Sequence, residues 1–176
     1  MITESIKLNS DDIINYLFKI GFNNNYEICV TEFCPYGEGR RIDLFYFSRW
    51  NRETRGYEIK ISRADFLKDK KWEDYLKYCT CFYFVAPRGI IKPEELPSGI
   101  GLIEIEVIEE DESVYQFHYN QGEREEGQKI YEIKHRFVKR AKKIHDVAEK
   151  EYIQLLEGLL IKIMYSKSKM KILNDN

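Results

Sequence analysis

The sequence predicts an α/β fold in which a mixed sheet is flanked by helices. Two apolar runs rich in aromatic and β-branched residues, 41–47 and 56–61, lie on either side of a polar segment, which predicts two strands joined by a turn. A helical pattern follows, and the run 81–86 is then apolar at almost every position, as expected for a strand buried on both faces. A helix between strands of one sheet is a crossover connection, which predicts a mixed sheet.

The remaining segments give the order of the elements. They predict a helix over 9–21, a strand over 26–33, a helix over 62–78, a loop over 87–99, and strands over 101–107 and 114–119. From Lys134 to about Tyr165, apolar residues recur at helical spacing without a proline, which predicts one long C-terminal helix. We therefore predict a domain over residues 1–128 and a helical extension over 129–176 that packs on the domain or on a partner.

Composition and charge narrow the class of protein. The chain is 43% hydrophobic and 33% charged, which is typical of a globular protein and excludes a disordered one. Its formal net charge of −2 argues against indiscriminate coating of nucleic acid by a basic surface. No apolar run reaches the roughly 20 residues that span a bilayer, and the N-terminal segment lacks signal-peptide features. We expect a cytoplasmic protein with no membrane partner.

The cysteines and histidines show no metal-ligand spacing. They are Cys29, Cys34, Cys79 and Cys81, together with His118, His135 and His145. Without a CxxC pair, the cysteines are most simply reduced, partly buried thiols, and a zinc site that combines them with a histidine is the alternative. The histidines fit solvated positions or helix faces.

Three charged residues, Asp43, Glu58 and Lys60, interrupt the two neighbouring apolar strands. Because side chains alternate between the faces of a strand, Glu58 and Lys60 project from the same face. Asp43 points away from the face that its apolar neighbours at 42, 44 and 46 share. If the strands pair as a hairpin, two carboxylates and one ammonium meet on one patch.

Such a patch suits the hydrolysis of a phosphodiester bond. Two carboxylates can hold a divalent metal beside a polarised water, and a lysine can orient that water or offset charge on the phosphate. The alternative is a solvated hairpin face with a cross-strand ion pair, which contributes under ~1 kcal/mol.

The charged residues belong to a longer pattern. Asp43, followed by Glu58-Ile59-Lys60, a helix and a buried strand, resembles the PD-(D/E)xK nuclease superfamily. Downstream, the chain is similar to the MmcB-type DNA-repair family. This similarity is carried by Arg40-Arg41-Ile42-Asp43, Ser62-Arg63-Ala64-Asp65-Phe66, Lys71-Trp72, Tyr75, Cys79, 82–87 and 101–103. The resemblance covers residues 26–105, and its part from Ser62 to Cys79 is far more specific than the Glu-x-Lys core.

The resemblance implies a restriction-endonuclease-like fold and a metal site. Asp43 and Glu58 would bind Mg²⁺, which Mn²⁺ can replace, and the backbone carbonyl of Ile59 would be a third ligand. Lys60 would position the attacking water. Ile42 stands where the superfamily has a proline, a replacement that the superfamily tolerates.

Further residues enter by the same resemblance. Glu32, in the preceding strand, matches an upstream acidic position and would complete the metal site or hold a second ion. Glu27 and Glu38 are nearby alternatives for that role. Phosphate contact, capping or positioning of the helix is expected of Arg41, Ser62, Asp65, Lys71, Trp72 and Tyr75. Lys71 and Trp72 also fit ordinary surface and core positions of an amphipathic helix.

The sequence therefore predicts a Mg²⁺-dependent nuclease that acts on DNA in repair or recombination. The alternative is a catalytically silent module that binds DNA or a repair partner through the same scaffold. A restriction or mobile-element nuclease would share the chemistry. The long C-terminal helix makes a homodimer plausible, and the basic stretch 134–143 fits either phosphate contact or the polar face of that helix.

Overall fold

Six strands form one mixed sheet and lie side by side in the order in which they occur in the chain. They are β1 (Glu27–Phe33), β2 (Ile42–Ser48), β3 (Thr54–Ile59), β4 (Cys81–Pro87), β5 (Gly101–Glu110) and β6 (Ile130–Lys139). The structure, a computed structural model, describes residues 7–21, 27–48, 50–110 and 130–174. The pairs β1–β2, β2–β3 and β5–β6 are antiparallel, whereas β3–β4 and β4–β5 are parallel.

Helices flank this sheet, as predicted. They are α1 (Ser10–Gly21), α2 (Arg63–Lys68), a 3₁₀ helix (Trp72–Tyr78), a short 3₁₀ turn (Pro93–Glu95) and α3 (Glu149–Asn174). The segment with α2 and the 3₁₀ helix is the crossover between the parallel strands β3 and β4. This arrangement confirms the predicted α/β class. Within the part of the chain that the structure describes, no helix has the length and apolar character needed to cross a membrane.

The sheet buries a separate apolar cluster on each face, because successive residues of each strand point in opposite directions. In β2, Phe45 and Phe47 join one cluster, whereas Leu44 and Tyr46 join the other. The first cluster, which we call the crossover face, includes Phe33, Trp72, Tyr75, Phe82, Phe84 and Leu155. The second, the α1 face, includes Ile13, Leu17, Tyr57, Val85 and Ile103.

The helix predicted over 62–78 is broken in the middle. Ser62 caps α2 as expected, since its hydroxyl accepts a hydrogen bond of 3.1 Å from the backbone N–H of Asp65. The helix ends at Lys68 because Asp69 has an extended backbone, with φ −78° and ψ 121°. The chain becomes helical again only at Trp72.

The long helix predicted from Lys134 to about Tyr165 is wrong over its first half, residues 134–148. Residues 130–139 are β6, which pairs with β5 along its whole length, and α3 begins at Glu149. Tyr131, Ile133, His135 and Phe137 alternate at the period of a strand, and the pairing satisfies backbone groups that β5 would otherwise expose at the sheet edge. The sheet therefore extends beyond residue 128, into the segment that we predicted to be a helical extension. The strand predicted over 114–119 lies outside the described residues.

Candidate active site

The register between β2 and β3 brings the two predicted metal ligands together. Leu44 pairs with Tyr57, and continuing this antiparallel register by one residue places Asp43 beside Glu58. The backbone N–H of Ile59 donates a hydrogen bond of 2.8 Å to Oδ2 of Asp43. Both carboxylates therefore lie on the crossover face, at the end of the hairpin that is far from its turn.

Lys60 completes the predicted group. Its backbone N–H donates to the carbonyl of Val85 at 2.9 Å, so the chain continues alongside β4 beyond the end of β3. Its side chain is buried, and Nζ lies 3.0 Å from Oε1 of Glu58. The structure thus places Asp43, Glu58 and Lys60 in one group, as the strand alternation predicts.

A third carboxylate, that of the half-buried Asp69, belongs to this group, and the sequence did not single it out. Oδ2 of Asp69 lies 2.7 Å from Nζ of Lys60, whereas Oδ1 of the half-exposed Asp65 is 4.0 Å away. Oδ1 of Asp69 accepts a hydrogen bond of 2.7 Å from the backbone N–H of Lys71. The helix break described above is what carries Asp69 to Lys60. The signal that could have found it is the run of four charged residues, 68–71, which interrupts the apolar spacing of the predicted helix.

Burial dominates the electrostatics of the two carboxylates on the hairpin. Burial, reinforced by the neighbouring Asp43, raises the pKa of Glu58 to about 8, although Lys60 opposes this shift. Burial also raises the pKa of Asp43, against the hydrogen bond from Ile59. Oε2 of Glu58 is buried and has no hydrogen-bond partner among the described residues. With all of its carboxylates ionised, the site would hold more negative charge than Lys60 alone can balance, so it favours a bound proton or a second cation.

The other members of the group remain charged despite their burial. Burial alone would lower the pKa of Lys60, but the carboxylates of Glu58 and Asp69 raise it above its usual value. Burial likewise opposes ionisation of Asp69, yet the hydrogen bonds from Lys60 and from the backbone of Lys71 lower its pKa. Lys60 and Asp69 thus form a stable ion pair beside the less readily ionised Glu58.

Glu32 lies at the edge of the site. Its backbone is left-handed, with φ +44°, and its exposed carboxylate pairs with Arg41 at 3.3 Å. Of the two alternatives, Glu38 is turned toward Lys77 and Tyr78, at 2.7 and 2.8 Å, and does not line this site. The side chain of Glu27 lies outside the described residues.

The group forms the floor of a cleft of about 470 Å³. Charged side chains and one tyrosine surround it: Glu32, Arg40, Arg41, Asp65, Lys68, Lys71 and Tyr75. The hydroxyl of Tyr75 donates to the backbone carbonyl of Arg41 at 2.9 Å, and burial near the carboxylates raises its pKa to about 12. Of the residues predicted to contact the substrate, Arg41, Lys71 and Tyr75 line the cleft, whereas Ser62 caps α2 outside its lining.

Trp72 is a core residue. Its ring centroid lies 5.9 Å from that of Phe82 and 5.3 Å from that of Phe84, within the crossover face. The interpretation of Trp72 as a core position of an amphipathic helix is therefore supported, since its side chain does not line the cleft.

The donor set of the cleft can be compared with the needs of a divalent cation. Among the described residues, no three histidine, cysteine, aspartate or glutamate side chains form a ready-made metal cluster. However, Mg²⁺ keeps several waters and often takes only one or two carboxylates from a protein. The unpartnered oxygen of Glu58 and the excess negative charge beside Asp43 fit a hard cation of this kind. Ile59 has its side chain in the α1 face, so only its backbone could contribute.

The remaining cysteine, histidine and basic candidates take part in other contacts. Cys34, Cys79 and Cys81 are reduced thiols, and Cys79 is buried. His135 Nδ1 lies 2.7 Å from the hydroxyl of Tyr16, and His145 Nε2 lies 2.9 Å from the carbonyl of Leu76. In the basic stretch 134–143, four of the six lysine and arginine side chains pair with groups of the fold. These are Lys134 with Glu132, Arg136 with Glu104, Lys139 with the carbonyls of Pro93, Leu96 and Pro97, and Lys143 with Asp146. His118 lies outside the described residues.

Comparison with known proteins places the chain in a family. The model of the family described as DNA repair protein MmcB-like matches residues 20–118, which is more than half of the chain and includes every residue on the floor of the cleft. No curated protein matches the chain. A solved structure, the SPO1766 protein of unknown function from Silicibacter pomeroyi, is similar with a TM-score of 0.56 and 21% identity over 90% of this chain and 84% of that one. That likeness shows a shared fold alone. The chain belongs to the MmcB-like family of DNA repair proteins.

Proposed function

We propose that this protein is a Mg²⁺-dependent nuclease that hydrolyses DNA phosphodiester bonds in repair or recombination, with a site of the PD-(D/E)xK type. The observation that carries the proposal is the meeting of the half-buried Asp43 with the buried Glu58 and Lys60 at the floor of a cleft that has basic side chains around it. The family's description as DNA repair proteins supports DNA as the substrate.

Each residue on the floor has a role in this proposal. Asp43, Glu58 and the carbonyl of Ile59 hold Mg²⁺, or Mn²⁺ in its place, with Glu32 at the edge of the site. When bound, the metal polarises the phosphate and makes a bound water more acidic. The ammonium of Lys60 orients the attacking water and offsets charge on the phosphate. Asp69 keeps that ammonium in place when Glu58 is occupied by the cation.

The rim of the cleft supplies contacts to the DNA backbone. Lys68 and Lys71 are exposed and line the cleft. Arg41 also lines it, and the bond from Tyr75 to its carbonyl fixes its backbone. Cations in these positions can bind successive phosphates while the carboxylates bind the metal.

A second candidate function is a silent module that binds DNA or a repair partner. One observation favours it: Lys60 already pairs with Oε1 of Glu58, at 3.0 Å, and so takes up part of the proposed metal-binding surface. In this case the buried ion pairs would stabilise the fold, and only the basic rim would bind DNA or the partner.

A cleavage assay separates the two candidates. The wild type is incubated with single-stranded, duplex, nicked and forked DNA in the presence of Mg²⁺ or Mn²⁺, beside Lys60→Met and Asp43→Asn. We expect cleavage of at least one DNA structure by the wild type, and a loss of about 10²–10³-fold in each variant, because each removes charge stabilisation at the reacting phosphate. Gel electrophoresis of labelled DNA measures the rate.

The control variant is Lys150→Met, which changes an exposed lysine on α3 outside the cleft. It should cleave like the wild type, and thermal unfolding should show that all variants are folded. Binding of DNA without cleavage, for every DNA structure and both metals, would reject the nuclease and support the silent module.

The raised pKa of Glu58 predicts an unusual dependence of stability on pH. In the folded state Glu58 has a pKa of about 8 and therefore stays protonated to a higher pH than in the unfolded chain. This proton uptake stabilises the fold fully below the usual glutamate pKa, and the stabilisation is lost as the pH rises through about 8. Glu58→Gln has no such titration. We expect this variant to exceed the wild type in free energy of unfolding at pH 8 by about 2 kcal/mol, and by less at pH 5, in urea denaturation.

Bound metal should reverse the order of stability of the wild type and Glu58→Gln. At pH 8, saturating Mn²⁺ should raise the urea midpoint of the wild type but leave that of Glu58→Gln nearly unchanged, because ligand binding stabilises only the protein that binds it. The exposed Glu94→Gln serves as the control and should match the wild type in both respects. A wild type whose midpoint ignores Mn²⁺ would contradict the metal site.

The rim lysines predict the salt dependence of DNA binding. Changing both Lys68 and Lys71 to glutamine should flatten the plot of log affinity against log salt for duplex DNA by about 0.9 for each lost phosphate contact. Fluorescence anisotropy at several salt concentrations measures the slope. The double variant of Lys7 and Lys150, exposed lysines outside the cleft, is the matched control. Equal slopes for both double variants would show that the cleft does not bind the DNA backbone.

We also propose a homodimer through α3. One side of this helix packs on the crossover face through Leu155, whereas Ile153, Leu156, Leu160 and Met164 form an exposed stripe at helical spacing. Light scattering should give twice the chain mass of 21.1 kDa. Leu156→Glu with Leu160→Glu should halve the mass, and Lys150→Glu should not. A wild-type monomer at all concentrations would reject the dimer.

A further inference from the structure

Helix α3 reaches the strand that carries Glu32. The ammonium of Lys162 donates hydrogen bonds to the backbone carbonyls of Thr31 and Glu32, the latter at 3.2 Å. These carbonyls lie where β1 is irregular, because Glu32 has a left-handed backbone that is unfavourable for a residue other than glycine. Two hydrogen bonds from a charged donor hold the backbone at a point where its own conformation is strained.

The same helix contacts the chain just after β1. A Cβ atom on Gly158 would lie 2.6 Å from the carbonyl oxygen of Cys34 and 3.2 Å from Cα of Pro35, so the helix backbone lies directly against this segment. One turn earlier, the backbone carbonyl of Gln154 accepts a hydrogen bond of 3.0 Å from the N–H of Tyr36. Together with Lys162, these contacts span residues 31–36.

This segment leads directly to the rim of the cleft. Glu32 lines the cleft and pairs with Arg41, and the carbonyl of Arg41 accepts the bond from Tyr75. The connection between β1 and β2, residues 34–41, is therefore held at one end by α3 and at the other by the 3₁₀ helix. A shift of residues 31–36 would displace both Glu32 and Arg41.

We propose that α3 braces the rim of the cleft, with Lys162 as the positioning residue that holds Glu32 and, through it, Arg41. The helix lies outside the residues matched by the family model, 20–118, so the brace is built from a separate segment of the chain. Its consequence for DNA rests on the proposed function, whereas its consequence for the backbone does not.

Hydrogen exchange tests the brace without metal or DNA. In Lys162→Met, the amides of residues 31–41 should exchange about tenfold faster than in the wild type, because the strained backbone opens more often. Gly158→Ala should accelerate the Tyr36 amide in the same way, since its methyl group pushes the segment from the helix. Lys162→Arg keeps a charged donor and should restore most of the protection.

The matched control is Lys150→Met, an exposed lysine on the same helix. It should leave exchange in 31–41 unchanged, and amides of β3 should be unaffected in every variant. Unchanged exchange of 31–41 in Lys162→Met, or an equal acceleration throughout β2 and β3, would overturn the brace.

Cleavage kinetics test whether the brace affects the cleft. If the wild type cleaves DNA, Lys162→Met should raise KM for DNA about tenfold and change kcat less, because Arg41 loses its position while Lys60 does not, and Lys162→Arg should recover the wild-type KM. An unchanged KM would overturn the link between brace and cleft. A wild type that does not cleave would reject the nuclease, and the exchange data would still decide on the brace.

Discussion

The buried ammonium of Lys60 is the interaction on which the rest of the site depends. It pairs with Glu58 and Asp69 in a region where an unpaired charge would be strongly unfavourable. Burial nevertheless raises the pKa values of Asp43 and Glu58, and Lys60 only opposes these shifts. A cluster in which three carboxylates share one cation holds protons or attracts another cation. That property distinguishes it from an ordinary structural ion pair.

The backbone around this cluster departs from regular structure at two places, and each departure brings a charged side chain to the cleft. The extended conformation of Asp69 interrupts the crossover helix and brings its carboxylate to Lys60. The left-handed conformation of Glu32 interrupts β1 beside Asp43 and places its carboxylate at the rim. Local rules of helix and strand formation are most often broken where a site needs a particular side chain in place.

The C-terminal segment serves the core domain in two ways. Strand β6 satisfies the free edge of β5, and α3 adds Leu155 to the crossover face and contacts the chain after β1. A segment that completes the sheet is bound more firmly than an appended helix would be. This also explains why the basic stretch 134–143 is largely engaged by carboxylates and carbonyls of the domain.

The sequence by itself determined the α/β class and the meeting of Asp43, Glu58 and Lys60, because strand alternation is a local property that two short apolar runs display clearly. The Ser62 cap follows from an equally local pattern. Only the tertiary structure decided the place of Asp69, the rim position of Glu32, and the choice of strand over helix for 130–139. Each of these depends on a partner distant in the chain or on a strained backbone: Asp69 on the ammonium of Lys60, Glu32 on a left-handed residue, and β6 on the unpaired edge of β5. Periodicity along the chain carries no information about such partners. Where a segment fits a helix and a strand about equally well, an unpaired strand edge elsewhere in the fold decides between them.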